Sequence, residues 1–128
     1  MINFKQDLKT VDETNVCLND ADVETIPNIV ARQLQIETQA GKEFIRIALA
    51  NALLMDRKQK DYGPRNISGF GLFGVVVRMN DKHERLKTLI AKGRKRKAQN
   101  ESIQDTLRDI ANYAVIALIM DEGRWPNE

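Results

Sequence analysis

The segment 42–60, KEFIRIALANALLMDRKQK, constrains the fold of this chain more than any other stretch. It contains no glycine or proline and is dense in residues that favour helix. Its apolar residues fall nearly all round the helical wheel. That pattern is typical of a helix that lies centrally in a core or is covered on its far side by a partner chain. The pair Gly63-Pro64 then ends the helix, because neither residue continues it well.

Three further segments carry signals for helix. A first helix is expected over about 26–41, since the proline at its start is well tolerated in a first turn. In the segment 70–91 apolar residues recur at intervals of three, four and seven, which favours a helix although GVVVRM alone resembles a strand. Its stripe consists of Leu72, Val76, Met79, Leu86 and Ile90. A last helix is expected over about 100–121. Its stripe consists of Ile103, Leu107, Ile110, Ala114 and Leu118.

The chain of 128 residues is about one domain long, with 42% hydrophobic and 30% charged residues. A formal net charge of only +2 gives the chain as a whole no strong affinity for polyanions. We predict an all-α protein, a small helical bundle of three or four main helices with an irregular N-terminal arm. The predicted divisions are an arm over 1–22, a helical domain over 23–122 and a C-terminal tail over 123–128.

Several classes of protein are excluded by composition. A single cysteine, Cys17, permits neither an intramolecular disulfide framework nor a cysteine-rich zinc site. The N-terminus lacks the apolar core of a signal peptide, and no apolar run reaches the length of a membrane span. The expected location is the cytoplasm, with no membrane partner.

Gly69, Gly71 and Gly74 have the G-x-G-x-x-G spacing of a dinucleotide-binding loop. That loop requires a strand before the first glycine and a βαβ unit around it. Here the turn sequence DYGPRNI precedes Gly69, and no second βαβ unit follows. We therefore reject the Rossmann interpretation and expect the glycines to form a flexible entry to a helix or to permit a close approach of another backbone.

Arg78, Lys82 and Arg85 are spaced i, i+4 and i+7, so on a helix they fall within about 60° of one another. They flank the apolar stripe of their segment. Cations at such a boundary are partly desolvated and bind phosphate more strongly than cations on an open surface. On charge pattern alone, the favoured alternative is pairing with Asp81 and Glu84 on a solvated helix face.

Glu101, Asp105 and Asp109 are spaced i, i+4 and i+8, so they lie along one side of the last helix. Carboxylates placed in this way could share Mg²⁺, which takes oxygen ligands. This side lies roughly opposite the apolar stripe, and a solvent-facing acidic edge explains it at least as well. Only a second subunit or the segment 42–60 packing there would make the edge a site.

The run KGRKRK over 92–97 places five basic side chains in six positions and is expected to form a solvated link. It could grip the phosphates of nucleic acid. No aromatic residue interleaves with the run, so single-strand binding by base stacking is not supported, and nucleic acid is not the favoured partner.

The ordered motifs KDYGPRNI, GLFGVVVRMNDKHERLKTLI and ESIQDTLRDIANYAVIALIM resemble the nucleotide-modification-associated domain family, found largely in bacteriophages. The resemblance covers about residues 40–121, and its most specific part is the DYG turn with the K-x-x-R-L helix. This family looks like a relative of the all-α MazG-like pyrophosphohydrolases. Those enzymes are usually oligomeric and cleave nucleoside triphosphates to monophosphate and pyrophosphate, with Mg²⁺ held by helix carboxylates.

The resemblance implies a nucleotide site in the helical domain and reverses the preference for solvated charges. The residues implied to hold the phosphates are Arg78, Lys82 and Arg85, together with Lys60. Those implied to hold Mg²⁺ are Glu101, Asp105 and Asp109, of which the first two would also be catalytic. Asp61 and Tyr62, in the turn that Gly63 makes possible, would contact the sugar or the base.

The function implied is the binding of nucleoside or deoxynucleoside phosphates, in the host cytoplasm if the gene is a phage's. Hydrolysis of a triphosphate to monophosphate and pyrophosphate is one form of it. The alternative is a non-catalytic factor that sequesters a nucleotide or docks onto a host or partner protein. The acidic pattern supports this alternative, because the segment 42–60 carries only Glu43 and Asp56, without the E-x-x-E spacing of MazG-like enzymes. The apolar surface of the same segment predicts a homo-oligomer formed through it.

Overall fold

The structure is a computed structural model that describes residues 20–93 and 96–126. Within these residues the chain forms helices and turns and no strand, which confirms the all-α class and the absence of a strand before Gly69. The helices, in chain order, are α1 (Asp20–Gln33), α2 (Gln39–Tyr62), α3 (Arg65–Ser68), α4 (Gly71–Lys92) and α5 (Lys97–Asp121). The first 19 residues of the expected N-terminal arm lie outside the described residues.

The contacts divide the chain into two compact units, Met1–Lys58 and Gln59–Glu128. The division falls inside α2, four residues before that helix ends. The expected domain over 23–122 and tail over 123–128 stay predictions. All of the residues that the sequence assigns to the nucleotide site belong to the second unit.

Helix α1 begins at Asp20, earlier than expected, so the last three residues of the expected arm are helical. Pro27 accordingly lies inside this helix and not in its first turn. The helix ends at Gln33, where we expected it to continue towards residue 41. Gln35 adopts a left-handed conformation with φ 58°, and its N–H donates to the carbonyl of Arg32 at 3.1 Å. This reversal closes the helix without a glycine, which is why the sequence pattern did not reveal it.

Helix α2 begins at Gln39 because Thr38 caps it. The Thr38 hydroxyl accepts the N–H of Gly41 at 3.0 Å, a bond that satisfies one of the free donors of a first turn. The expected start at residue 42 was therefore three residues late. Ala50 is the buried residue of the helix, while Phe44 is 80% exposed. The oligomer expected through 42–60 stays a prediction.

A turn and a short helix connect α2 to α4. Gly63 has φ 72° and donates its N–H to the carbonyl of Gln59 at 2.8 Å, so it closes α2 from the left-handed region that favours glycine. Pro64 and the short helix α3, which the sequence did not predict, follow directly. Gly71, with φ 63°, then begins α4.

Helices α4 and α5 pack along each other and form the core of the second unit. The short link between them makes them antiparallel neighbours. The buried side chains are Val75 on α4 and Ile103, Thr106 and Ile116 on α5, each at most 2% exposed. The Thr106 hydroxyl is satisfied by donating to the carbonyl of Ser102 at 2.7 Å.

Of the two predicted apolar stripes only Ile103 is fully buried, so the buried faces of both helices differ from the predicted ones. Val75, outside the predicted stripe, is fully buried. The predicted members that are 40–63% exposed are Leu72, Val76, Ile90, Leu107 and Leu118. Three consecutive valines and apolar residues on several sides of each helix leave the buried face undetermined by periodicity alone.

The basic run is more helical than expected. Helix α4 ends at Lys92, Gly93 turns the chain with φ 85°, and α5 begins at Lys97, three residues before the expected start at 100. Arg94 and Lys95 lie outside the described residues. Nucleic-acid binding through this run stays a prediction.

The residues after α5 return to the turn at the start of the unit. The indole Nε1–H of Trp125 donates to the carbonyl oxygen of Pro64 at 3.2 Å. Trp125 thus anchors the residues after α5 to this turn.

We expect Gly63→Ala to lower the free energy of unfolding by about 1 kcal/mol, because a side chain at φ 72° is strained. No neighbouring atom lies within 4 Å of a β carbon placed there, so the loss reports backbone strain alone. Urea titration followed by circular dichroism measures it.

Gly69→Ala is the matched control, since Gly69 lies six residues away with φ −55° and an added β carbon would approach only the Arg65 carbonyl, at 3.4 Å. We expect it to be neutral or slightly stabilising. An equal loss in both variants would show that the left-handed turn is not the cause.

Candidate functional site

An ion pair between α4 and α5 joins two residues that the sequence assigned to different roles. The Lys82 ammonium lies 2.9 Å from a carboxylate oxygen of Asp109, and the two side chains are only 31% and 22% exposed. The expected phosphate-binding lysine therefore contacts an expected metal-binding carboxylate. Partial desolvation strengthens this attraction relative to a pair on the open surface.

Arg78 lies one helical turn before Lys82 and is fixed by α3, the short helix that precedes α4. Its guanidinium donates to the backbone carbonyl of Asn66 at 2.8 Å. A guanidinium carries five N–H donors in a planar fork that suits phosphate, and this bond engages one of its nitrogens. The contact orients the half-buried Arg78 side chain and ties α4 to the residues after Pro64.

The pairing of Lys82 with Asp109 also sets the register of the two helices. In an antiparallel pair with the same rise per residue, Val75 then lies level with Ile116, and both are buried, as this register requires. Arg85 falls level with Asp105 and Thr106. The side chains of Arg85 and Asp105 are exposed.

The alternative of pairing within α4 is not observed for the basic row among the described residues. Glu84 pairs with Lys87 at 3.0 Å, and both of these side chains are more than 60% exposed. Arg78 and Lys82 instead contact other elements. The row Arg78, Lys82 and Arg85 thus lies along the side of α4 that borders α5.

The predicted stripe implied that the acidic edge of α5 lies opposite the core. The structure places part of this edge beside the core instead. Asp109 is on the border of the packed face, three residues after the buried Thr106. Glu101, at the other end of the edge, is 59% exposed and lies 3.9 Å from Lys97. The true buried face of α5 is rotated from the predicted one, which brings the edge beside the basic row of α4.

The three carboxylates are not gathered into a metal site. Among the described residues no group of three His, Cys, Asp or Glu side chains is placed to hold a metal ion. Successive members of the edge are about 6 Å apart along the axis of α5, so Glu101 and Asp109 are about 12 Å apart. Three ligands of one Mg²⁺ must all reach within about 2 Å of it. Binding of Mg²⁺ by Glu101, Asp105 and Asp109 stays a prediction that this arrangement does not fit.

Lys60, Asp61 and Tyr62 form the last turn of α2, and all three are exposed, Tyr62 by 68%. The turn at Gly63 connects them to α3, whose Asn66 carbonyl receives Arg78. They are therefore linked along the chain to the segment whose Asn66 carbonyl holds Arg78. Their contact with a nucleotide stays a prediction.

Two backbone acceptors in this region escaped sequence reasoning. The carbonyls of Pro64 and Asn66 receive Trp125 and Arg78 respectively. Every residue has a carbonyl, so no residue type marks these positions. The only sequence signal was the turn DYGPRN, which places several free carbonyls close together.

Comparison with known proteins identifies the class of this region. Residues 58–120 match the model of the family described as nucleotide modification associated domain 1. This segment of the chain is therefore similar to nucleotide-modification-associated domains. Its first residue falls next to the start of the second compact unit, Gln59–Glu128. Neither a curated protein nor a solved structure was found to match the chain.

The relationship to MazG-like enzymes stays a prediction. No helix in the described part of the chain has both the length and the apolar character needed to cross a membrane.

We expect Lys82→Met and Asp109→Asn each to destabilise the protein, because each removes one side of a partly buried ion pair. The double variant should lose less than the sum of the two, with a coupling of about 1 kcal/mol that weakens only modestly in 1 M salt. Urea unfolding of the four proteins in this cycle measures the coupling.

The same cycle with Lys87→Met and Glu84→Gln serves as control. That pair is exposed, and its coupling should be below about 0.5 kcal/mol and vanish in salt. Equal couplings for the two pairs would mean that burial at the junction of α4 and α5 adds nothing.

Proposed function

We propose that the domain over 58–120 binds a nucleoside or deoxynucleoside phosphate on the side of α4 that borders α5. One observation carries the proposal: the Arg78 guanidinium is held in place by the Asn66 carbonyl within a nucleotide-modification-associated domain. A cation fixed in this way loses less conformational entropy when it binds a phosphate than a free surface arginine does.

The phosphate chain would extend from Arg78 towards Arg85. These residues are two turns apart on one side of α4, about 10 Å along the helix axis. The side chain of Arg85 is exposed and accessible to a ligand. Lys82 lies between them, and its pairing with Asp109 supports a lesser role in phosphate binding than the sequence suggested. A phosphate there would have to compete with the carboxylate or draw the ammonium away from it.

Binding without hydrolysis is the form of the function that the acidic edge supports. Glu101, Asp105 and Asp109 are spread along α5, and no described group of carboxylates is placed to hold a metal ion. Sequestration or presentation of a nucleotide fits the arrangement of the charges, while conversion to monophosphate and pyrophosphate is the competing outcome of the assay below.

We expect Arg78→Ala to weaken nucleotide binding by about tenfold or more, since it removes a charge-assisted hydrogen-bond donor to phosphate. Arg78→Lys keeps the charge but loses the planar fork. Its nucleotide affinity should lie between that of the wild-type protein and that of Arg78→Ala. Isothermal titration with the eight common nucleoside and deoxynucleoside triphosphates measures the affinities. Chromatography of the same mixtures with Mg²⁺ detects turnover.

Arg46→Ala is the matched control. Arg46 is a half-buried arginine on α2 that pairs with Glu43 at 2.8 Å in the other compact unit. It removes the same charge and should leave nucleotide affinity unchanged. The proposal is wrong if the folded wild-type protein binds none of the eight nucleotides, or if Arg78→Ala and Arg46→Ala have equal affinities.

A further inference from the structure

Phe70 is an aromatic side chain that packing within the chain does not explain. It precedes α4 as the N-cap residue and is 85% exposed. Aromatic residues make up only 5% of the sequence, and a phenylalanine gains stability chiefly by burying its ring. The ring is instead presented to solvent at the entrance of the helix that carries the basic row.

Gly74 determines where the Phe70 side chain lies. A β carbon at position 74 would come within 2.6 Å of the Phe70 Cβ and 3.7 Å of its Cγ. The first of these distances is shorter than real contacts allow, and the atom in the way is attached directly to the backbone of Phe70. The absence of a side chain at Gly74 therefore permits Phe70 to lie over the first turn of α4.

This placement puts the root of the Phe70 side chain, its Cβ and Cγ, beside the side of α4 that carries Arg78. Gly74 and Arg78 are spaced i and i+4, so they share one side of the helix and are about 6 Å apart along its axis. The Phe70 Cβ and Cγ, which lie beside Gly74, are thus about one helical turn from the level of Arg78, whose guanidinium the Asn66 carbonyl fixes. The separation leaves room for a sugar between a base at Phe70 and a phosphate at Arg78.

We propose that Phe70 is the stacking surface for the base of the nucleotide whose phosphates Arg78 holds. The inference rests on the proposed function and adds a contact for the base, which an inorganic phosphate chain lacks. Every base offers a π face, so stacking on phenylalanine tolerates all of them and does not select among bases. Phe70 is a binding residue, and Gly74 positions it.

Phe73 provides a matched control on the same helix. It is 77% exposed, and its position on α4 is about 140° from that of Arg78, so a base stacked on it could not also reach the guanidinium. Phe70→Leu and Phe73→Leu make the same change to two exposed rings. Both variants should fold, because neither side chain contributes to the core.

The test compares binding of a nucleoside triphosphate with binding of inorganic tripolyphosphate to the full chain by isothermal titration. We expect Phe70→Leu to weaken the nucleotide about tenfold and to leave tripolyphosphate unchanged, whereas Phe73→Leu alters neither. Phe70→Trp keeps an aromatic ring and should bind the nucleotide as tightly as the wild-type protein does. Gly74→Ala, which displaces the ring, should reproduce the effect of Phe70→Leu. Arg78→Ala should weaken both ligands.

The outcomes separate this inference from the proposed function. If Arg78→Ala weakens both ligands but Phe70→Leu leaves nucleotide affinity unchanged, the stacking role is wrong and the phosphate site stands. If Phe70→Leu weakens both ligands equally, or Phe73→Leu has the same effect as Phe70→Leu, the ring acts on the fold or through general apolar contact and the inference is overturned. If the wild-type protein binds neither ligand, the proposed function fails and the stacking role fails with it.

Discussion

The packing of α4 along α5 is the contact on which the second unit depends. It rests on few buried side chains. Val75 of α4 lies level with Ile116 of α5, and Ile103 is buried nearer the start of α5. The pair formed by Lys82 and Asp109 lies at the border of this packing. Apolar contact supplies the attraction but is tolerant of sliding, since one aliphatic layer resembles the next. A charged pair tolerates sliding less well. It therefore selects the register in which the basic row of α4 lies beside the acidic edge of α5.

The same register explains why basic and acidic rows share one side of the hairpin. Cations on α4 and carboxylates on α5 partly neutralise each other, which limits the repulsion that either row would suffer alone. The same pairing weakens the attraction of Lys82 for an anionic ligand, because an anion approaching Lys82 meets Asp109 as well. A ligand that contacts Arg78 and Arg85 avoids this competition. The charges therefore favour an extended anion over a single compact one.

Much of the fold could be predicted from the sequence, because helix formers and turn residues act locally. The end of α2 at Gly63 followed from residue types, and the helical nature of 71–92 followed from the spacing of its apolar residues. The start of α2 could have been found as well, since Thr38 is a good N-cap residue. The end of α1 could not, because Gln35 takes a left-handed conformation that its residue type does not favour.

The candidate site was predictable in composition but not in arrangement. The spacing of Arg78, Lys82 and Arg85 placed them on one side of α4, as the structure has them. Which side of α5 faced them depended on the buried face, and the apolar pattern allowed more than one choice. The partner of Arg78 is a backbone carbonyl, which carries no sequence signal. Local rules thus identified the groups, while their pairing required the packing of two helices.

Trp125 is the only tryptophan of the chain, and its indole donates to Pro64 in the turn that leads to Asn66. Indole emission responds to hydrogen bonding and to the polarity around the ring. The protein therefore carries an intrinsic optical probe at the turn that orients Arg78, with no competing tryptophan signal. Its emission spectrum reports whether this turn is closed or open, independently of the helical content that circular dichroism measures.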